Sequence, residues 1–200
     1  MIKQAFRIQA KAILRHFSKR INFSDKIVNQ ALYKYLRERH CRSVLVYLPL
    51  HTEVDITPLI ATLRKQKVRV FVPFIQELSF KMIPLRMPLK KNLYGIYESN
   101  NSLFHLIKVD SVIIPVLGID RDFRRIGFGK GMYDRFLPNL KHKVHIIFVA
   151  KSPNIAQDVI TQPYDTLGDC FFTASAICRR KKNGSVVCDR KYNLRIIGRN

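Results

Sequence analysis

Apolar residues near the start of the chain recur at helical spacing: Phe6, Ala10, Ile13, Leu14 and Phe17 fall on one face, with Lys3, Arg7, Lys11 and Arg15 between them. Ile27, Val28, Ala31, Leu32, Tyr35 and Leu36 repeat the spacing after a break at residues 22–24, so two amphipathic helices open the protein. The pattern then shortens. Residues 44–49 form a compact run of β-branched and aromatic residues ending at Pro49. Thr57 followed by Pro58 reads as an N-cap with proline at the first helical position, starting a helix that runs to Gln66.

Residues 68–74 supply the next strand, residues 80–85 alternate weakly, and residues 103–107 read as a short helix. Residues 112–117 are apolar throughout, the pattern of a strand buried on both faces, which places them at the centre of a sheet. A helix over residues 132–140 and strands over 144–150 and 170–174 complete the alternation. Strands and helices taking turns in this way predict an α/β fold, a three-layer α/β/α sandwich around a mainly parallel sheet in a single domain. That domain is expected to occupy residues 1–178. Residues 179–200 change character, with eight basic side chains against one acidic and a turn at Asn183-Gly184. They read as a basic C-terminal extension, a solvated hairpin or frayed tail rather than an independent domain.

A chain of 200 residues, 47% hydrophobic, suffices for one such core. No apolar run approaches the roughly 18 residues that a membrane-spanning helix requires. The first residues lack the separate apolar stretch and small-residue cleavage site of a secretory signal, so a cytoplasmic location is expected. Four cysteines, Cys41, Cys170, Cys178 and Cys188, show neither a CxxC pair nor zinc-finger spacing and are expected to be reduced thiols. Thirty-six basic residues against 14 acidic give a net charge of +22, which attracts any polyanion: nucleic acid, lipid surface or polyphosphate.

Four of the eight glycines lie between Gly118 and Gly131, after the most apolar strand and before an amphipathic helix. Glycine permits close approach of a ligand and positive φ, and free amides at a helix start favour an anion. A phosphate suits such a segment; an ordinary strand-to-helix connection is the other reading. It is not a Walker A loop, because no Ser or Thr follows Lys130. Nor is it a dinucleotide fingerprint, because Met132 stands where the third glycine would be.

The wider string is more specific: Gly118-Ile119-Asp120, then Arg125-Ile126-Gly127-Phe128-Gly129-Lys130-Gly131-Met132-Tyr133-Asp134 followed by an apolar helix. With Lys3 and Arg7 on the first helix, Leu48 to Asp55 at the first strand exit, and Pro163-Tyr164-Asp165 with Asp169 and Thr173, it resembles the 5-formyltetrahydrofolate cyclo-ligases. These are also called 5,10-methenyltetrahydrofolate synthetases. The resemblance covers residues 1–175 and leaves the basic tail without a counterpart.

This resemblance implies ATP-dependent, Mg²⁺-requiring closure of 5-formyltetrahydrofolate to 5,10-methenyltetrahydrofolate, with ADP and phosphate as products. It assigns ATP to Lys3, Arg7, Arg125, Gly127, Phe128, Gly129, Lys130, Gly131, Met132 and Tyr133, with Lys130 and Arg125 carrying catalysis. It assigns the folate to Leu48, Glu53, Phe128 and Met132, and Mg²⁺ to Asp134 and Asp169. Lys11 and Arg15 repeat the spacing of Lys3 and Arg7 and remain an alternative pair. Met132 departs from the family, which usually has a tyrosine there, and loses a hydroxyl next to the folate. The positive charge also suits the acidic tail of a polyglutamylated folate. Two other readings stay open: a same-fold ATP-dependent enzyme acting on another small molecule, and a basic protein that has kept the fold to bind nucleic acid.

Overall fold

The computed structural model describes residues 2–17, 21–91, 97–99, 108–140, 142–190 and 196–197. Helices α1 (Lys3–Phe17) and α2 (Ile21–Glu38) come first, followed by β1 (Ser43–Leu45), α3 (Thr57–Lys65), β2 (Arg69–Gln76) and β3 (Ser79–Pro84). Short strands β4 (Lys90–Lys91) and β5 (Tyr97–Glu98) pair with each other. Next come β6 (Ser111–Pro115), β7 (Gly118–Ile119), β8 (Arg125–Ile126), α4 (Met132–Phe136) and β9 (His145–Val149). The chain closes with β10 (Ile155–Ala156), β11 (Cys170–Phe172), β12 (Ala176–Arg180), β13 (Val186–Arg190) and β14 (Ile196–Ile197).

The main sheet has eight strands in the order β13-β12-β11-β9-β6-β1-β2-β3. The pairs joining β11, β9, β6, β1 and β2 are all parallel, while β3, β12 and β13 are added antiparallel. Every residue of β6 is buried, and it lies in mid-sheet as its unbroken apolar run predicts. Residues pointing to alternate faces explain the division of the core. Val44, Val70, Val72, Ile113 and Ile147 join α2 and α3 in one cluster, whereas Leu45, Phe71, Val112, Ile114 and Phe148 form a second with residues of α4. Helices therefore cover both faces. A smaller sheet, β14-β10-β7-β8, sits beyond the end of β6 and packs on α1 through Phe6, Ala10, Leu117, Ile126 and Ala156.

Several local expectations are corrected. The second helix runs through residues 22–24 without a break, because it already begins at Ile21. Thr57 is the first helical residue and Ile56 the N-cap; the capping oxygen comes from Asp55, whose Oδ1 accepts the Thr57 N–H at 2.9 Å. The helix after the glycine loop is α-helical only to Phe136 and continues as a 3-10 turn, Leu137–Asn139. Cys178 and Cys188 are not thiols but a disulfide, since they face each other across the β12–β13 hairpin; Cys41 and Cys170 are free. That hairpin is an integral edge of the main sheet. The helix expected at residues 103–107 lies outside the described residues. Among the described residues no helix is long and apolar enough to cross a membrane.

Candidate active site

The loop from β8 to α4 bends in ways that side chains oppose. Gly129 has φ 124° and Gly131, the N-cap of α4, has φ 62°. Gly127 is required for space instead: a Cβ there would lie 2.9 Å from Arg125 Nη1. Arg125 itself is buried, and its guanidinium grips Asp134 at two points, Nε to Oδ1 at 2.7 Å and Nη2 to Oδ2 at 2.6 Å. Thr166 adds its N–H at 3.0 Å and its hydroxyl at 2.8 Å to Oδ1. Burial alone would raise the Asp134 pKa, but the hydrogen bonds and charge of Arg125, with the Thr166 donors, outweigh it and hold the carboxyl at about 2. With only five residues, α4 brings little dipole, so the positive field here comes from side chains.

Those side chains line a polar cavity of about 470 Å³. Lys3, Arg7, Arg125 and Arg135 face it together with Gly127, Gly129, Gly131, Asp134, Tyr164 and Asp165. Arg7 Nε donates to Gly127 O at 3.0 Å, and Lys3 Nζ bonds both Asp165 carboxylate oxygens at 2.5 and 2.6 Å. Arg135 Nη2 donates to Lys130 O at 2.6 Å, bracing the loop. Four cations against two carboxylates, both already paired with Arg125 and Lys3, leave the cavity positive and suited to an anion.

A second cavity, of about 270 Å³, adjoins the first and is mostly apolar. Tyr47, Leu48, Leu50 and Glu53 reach it from the exit of β1, Pro73, Ile75 and Phe80 from the β2–β3 hairpin, and Phe128, Lys130, Met132 and Tyr133 from the glycine loop and α4. Phe80 stacks on Phe136 with centroids 4.2 Å apart and meets Tyr133 edge-on at 5.0 Å, which fixes that wall. Glu53 is the carboxylate of this cavity. Burial pushes its pKa up to about 7, against the Leu50 N–H that its Oε2 accepts at 2.9 Å and the charge of Lys151. Arg125 and Gly131 line both cavities and form their common wall.

Of the residues assigned to ATP, folate and Mg²⁺ by the resemblance, the structure brings all but Asp169 to these two adjoining cavities. Asp169 stands apart. It precedes β11 at the edge where the parallel strands begin, accepts the Ile146 N–H at 2.8 Å and lies 3.3 Å from His145 Nδ1. It is not among the residues lining the Asp134 cavity; Asp165, four positions earlier, is. Lys11 and Arg15 are also separated from Lys3 and Arg7, lining a third cavity of about 430 Å³ with His51, Phe128 and Lys151. Sequence reading missed Asp165, Arg135 and Thr166 as site residues. Their only signals were the Pro163-Tyr164-Asp165 string and the position of Arg135 one residue after Asp134.

Adjoining polar and apolar pockets at the strand exits are where an α/β enzyme usually takes its ligands. The chain belongs to the 5-formyltetrahydrofolate cyclo-ligase family, whose model matches residues 1–169. It is 26% identical to the 5-formyltetrahydrofolate cyclo-ligase of Haemophilus influenzae over 132 residues, covering 62% of this chain and 70% of that one. It is 27% identical to the cyclo-ligase of Mycoplasma pneumoniae over 142 residues, covering 70% and 79%. Among solved structures it resembles the 5,10-methenyltetrahydrofolate synthetase of Aquifex aeolicus, with a TM-score of 0.71 and 26% identity over 90% of this chain and 93% of that one. The family is one of enzymes that close the formyl folate to its methenyl form.

Proposed function

We propose that the protein uses ATP and Mg²⁺ to convert 5-formyltetrahydrofolate to 5,10-methenyltetrahydrofolate in the cytoplasm, releasing ADP and phosphate. The observation that carries this reading is the common wall of the two cavities at Arg125 and Gly131, where a phosphoryl donor on one side would meet a formyl oxygen on the other. The formyl oxygen attacks the γ-phosphorus as the bond to ADP breaks. Folate N10 then adds to the activated formyl carbon and gives up its proton, and the C–O bond breaks to release phosphate and leave the methenyl cation.

Phosphoryl transfer of this kind depends on positioning and charge neutralisation. Lys3, Arg7, Arg125 and Lys130, with the backbone N–H groups of residues 127–131, are assigned to the triphosphate. Phe128, Met132 and Tyr133 flank it. Leu48, Glu53, Phe128 and Met132 are assigned to the folate, where ionised Glu53 accepts hydrogen bonds from the pterin amino and ring N–H groups. For Mg²⁺ the donor set that fits is Asp134 with Asp165, two hard oxygen ligands facing one cavity, in place of the Asp134 and Asp169 pair. When bound, the ion neutralises charge on the transferring phosphoryl group. The third cavity, joined to the folate cavity by Phe128 and lined by Lys11, Arg15 and Lys151, suits the acidic tail of a polyglutamylated folate.

The test is the absorbance of methenyltetrahydrofolate after mixing protein with 5-formyltetrahydrofolate, Mg²⁺ and ATP. A rise that requires both ATP and Mg²⁺ and is lost in Asp165→Asn is the expected result. Folded protein that binds ATP yet gives no rise would instead assign the site to a different small molecule.

A further inference from the structure

The net charge of +22 exceeds what two ligand cavities use, and the fold collects much of the remainder in one place. The five parallel strands begin on the edge opposite the Leu48–Glu53 exit. Arg42 and Arg69 stand there just before β1 and at the start of β2, with the Arg69 N–H donating to Arg42 O at 2.9 Å. Arg39 follows α2, and Lys143 precedes β9. All four are exposed.

The basic tail reaches the same edge. Because β12 runs antiparallel to β11, Arg179 pairs with Cys170 at the strand's first residue, and the turn beyond it carries exposed Lys181 and Lys182. Arg39 and Arg179 even share one aromatic ring, each guanidinium lying 5.8 Å from the centroid of Tyr35. Two basic stretches remote in sequence therefore form one strip, and the second lies outside the residues matched by the family model. Of the carboxylates near this edge, Asp110 and Asp169 are engaged by backbone N–H groups of Arg42, Ser43 and Ile146, Asp169 also lies 3.9 Å from Arg180, and Asp189 pairs with Arg179 at 2.5 Å, so the unpaired charge of the strip rests on its other cations.

We propose that this strip is a docking surface for the phosphodiester backbone of a nucleic acid. From β2 to β12 the sheet crosses five inter-strand spacings, about 24 Å at roughly 4.8 Å each. That length is enough to run beside several consecutive phosphates of one strand. The cations follow a line, as a polymer backbone does. A lipid surface would be met by cations flanking a broad apolar face. The inference does not depend on the cyclo-ligase chemistry, whose cavities open at the other ends of the strands.

The test uses the full chain and fluorescence anisotropy of labelled 20-nucleotide single-stranded RNA and DNA, with phosphatidylserine vesicles in parallel. Expected is oligonucleotide binding that weakens with salt at a slope of about −0.7 per neutralised phosphate; preference between RNA and DNA then identifies the source. Lys181→Glu/Lys182→Glu and Arg42→Glu/Lys143→Glu should each weaken binding by at least about tenfold and flatten the slope by about 1.4. Lys26→Glu/Arg121→Glu, an equal change of net charge at exposed sites off the strip, should leave binding within about twofold. Unaltered cyclo-ligase turnover in the hairpin variant reports that it is folded. No oligonucleotide binding at low salt, capture by vesicles alone, or equal losses in the control pair would overturn the proposal.

Discussion

Two carboxylates flank the same loop under opposite control. Asp134 faces the polar cavity with a guanidinium bonded across both its oxygens, and its pKa falls to about 2. Glu53 faces the apolar cavity with one backbone N–H and the more distant charge of Lys151, and its pKa rises to about 7. Burial alone would raise both. What separates them is whether a cation was buried alongside. The polar cavity thus holds charges paired before any ligand arrives, while the apolar cavity holds a carboxylate near its point of neutralisation.

Removing the partner of a buried charge should break this contrast most severely. Asp134→Asn leaves Arg125 uncompensated and should cost about 3–5 kcal/mol. Thermal melting should show it as a fall of roughly 10 °C. In the wild type the contribution of Asp134 is present above its unfolded value of 3.8 and lost as pH falls toward about 2. Lys130→Ala, at an exposed position, should leave melting unchanged yet lower turnover by about 10²–10³-fold, the effect of losing a donor aimed at transition-state charge.

Glu53 carries the opposite sign. Its folded pKa lies above the unfolded value, so its contribution to stability is present below 4.5 and lost as pH rises through about 7. Glu53→Gln should therefore raise stability at pH 8 but not at pH 4, by no more than the roughly 3 kcal/mol that the shift represents, read as a higher melting temperature at pH 8 alone. Wild type should gain folate affinity on going from pH 6 to pH 8 as Glu53 ionises, and the same variant should lose that gain. Smallest is Met132→Tyr, which should lower the KM for 5-formyltetrahydrofolate a few-fold through about 1 kcal/mol from one restored hydroxyl.

The layers of the fold were legible because β6 is apolar throughout and the flanking helices carry a clear stripe. The ends of elements were less so. Asp55 caps α3 through a backbone turn that the Thr57-Pro58 pair obscures, and α4 gives way to a 3-10 turn at Leu137-Pro138. Most of the site followed from one contiguous loop. The place of Asp165 in the polar cavity did not, because only the tertiary path shows Asp165 meeting Lys3 while Asp169 lies against His145. One sign was present and unused: Cys178 and Cys188 lie equally far from Asn183, the register of a hairpin closed at that turn.

The wall shared by the two cavities carries a thermodynamic consequence. Arg125 is anchored at two points by Asp134 in the room that Gly127 leaves, and a ligand filling either side presses on that same group. On the proposed reaction, nucleotide and folate affinities are expected to be linked, and linkage is reciprocal: the factor by which one ligand alters the dissociation constant of the other is the same in both directions. A saturating amount of a non-hydrolysable nucleotide should change folate affinity by the factor with which folate changes that of the nucleotide.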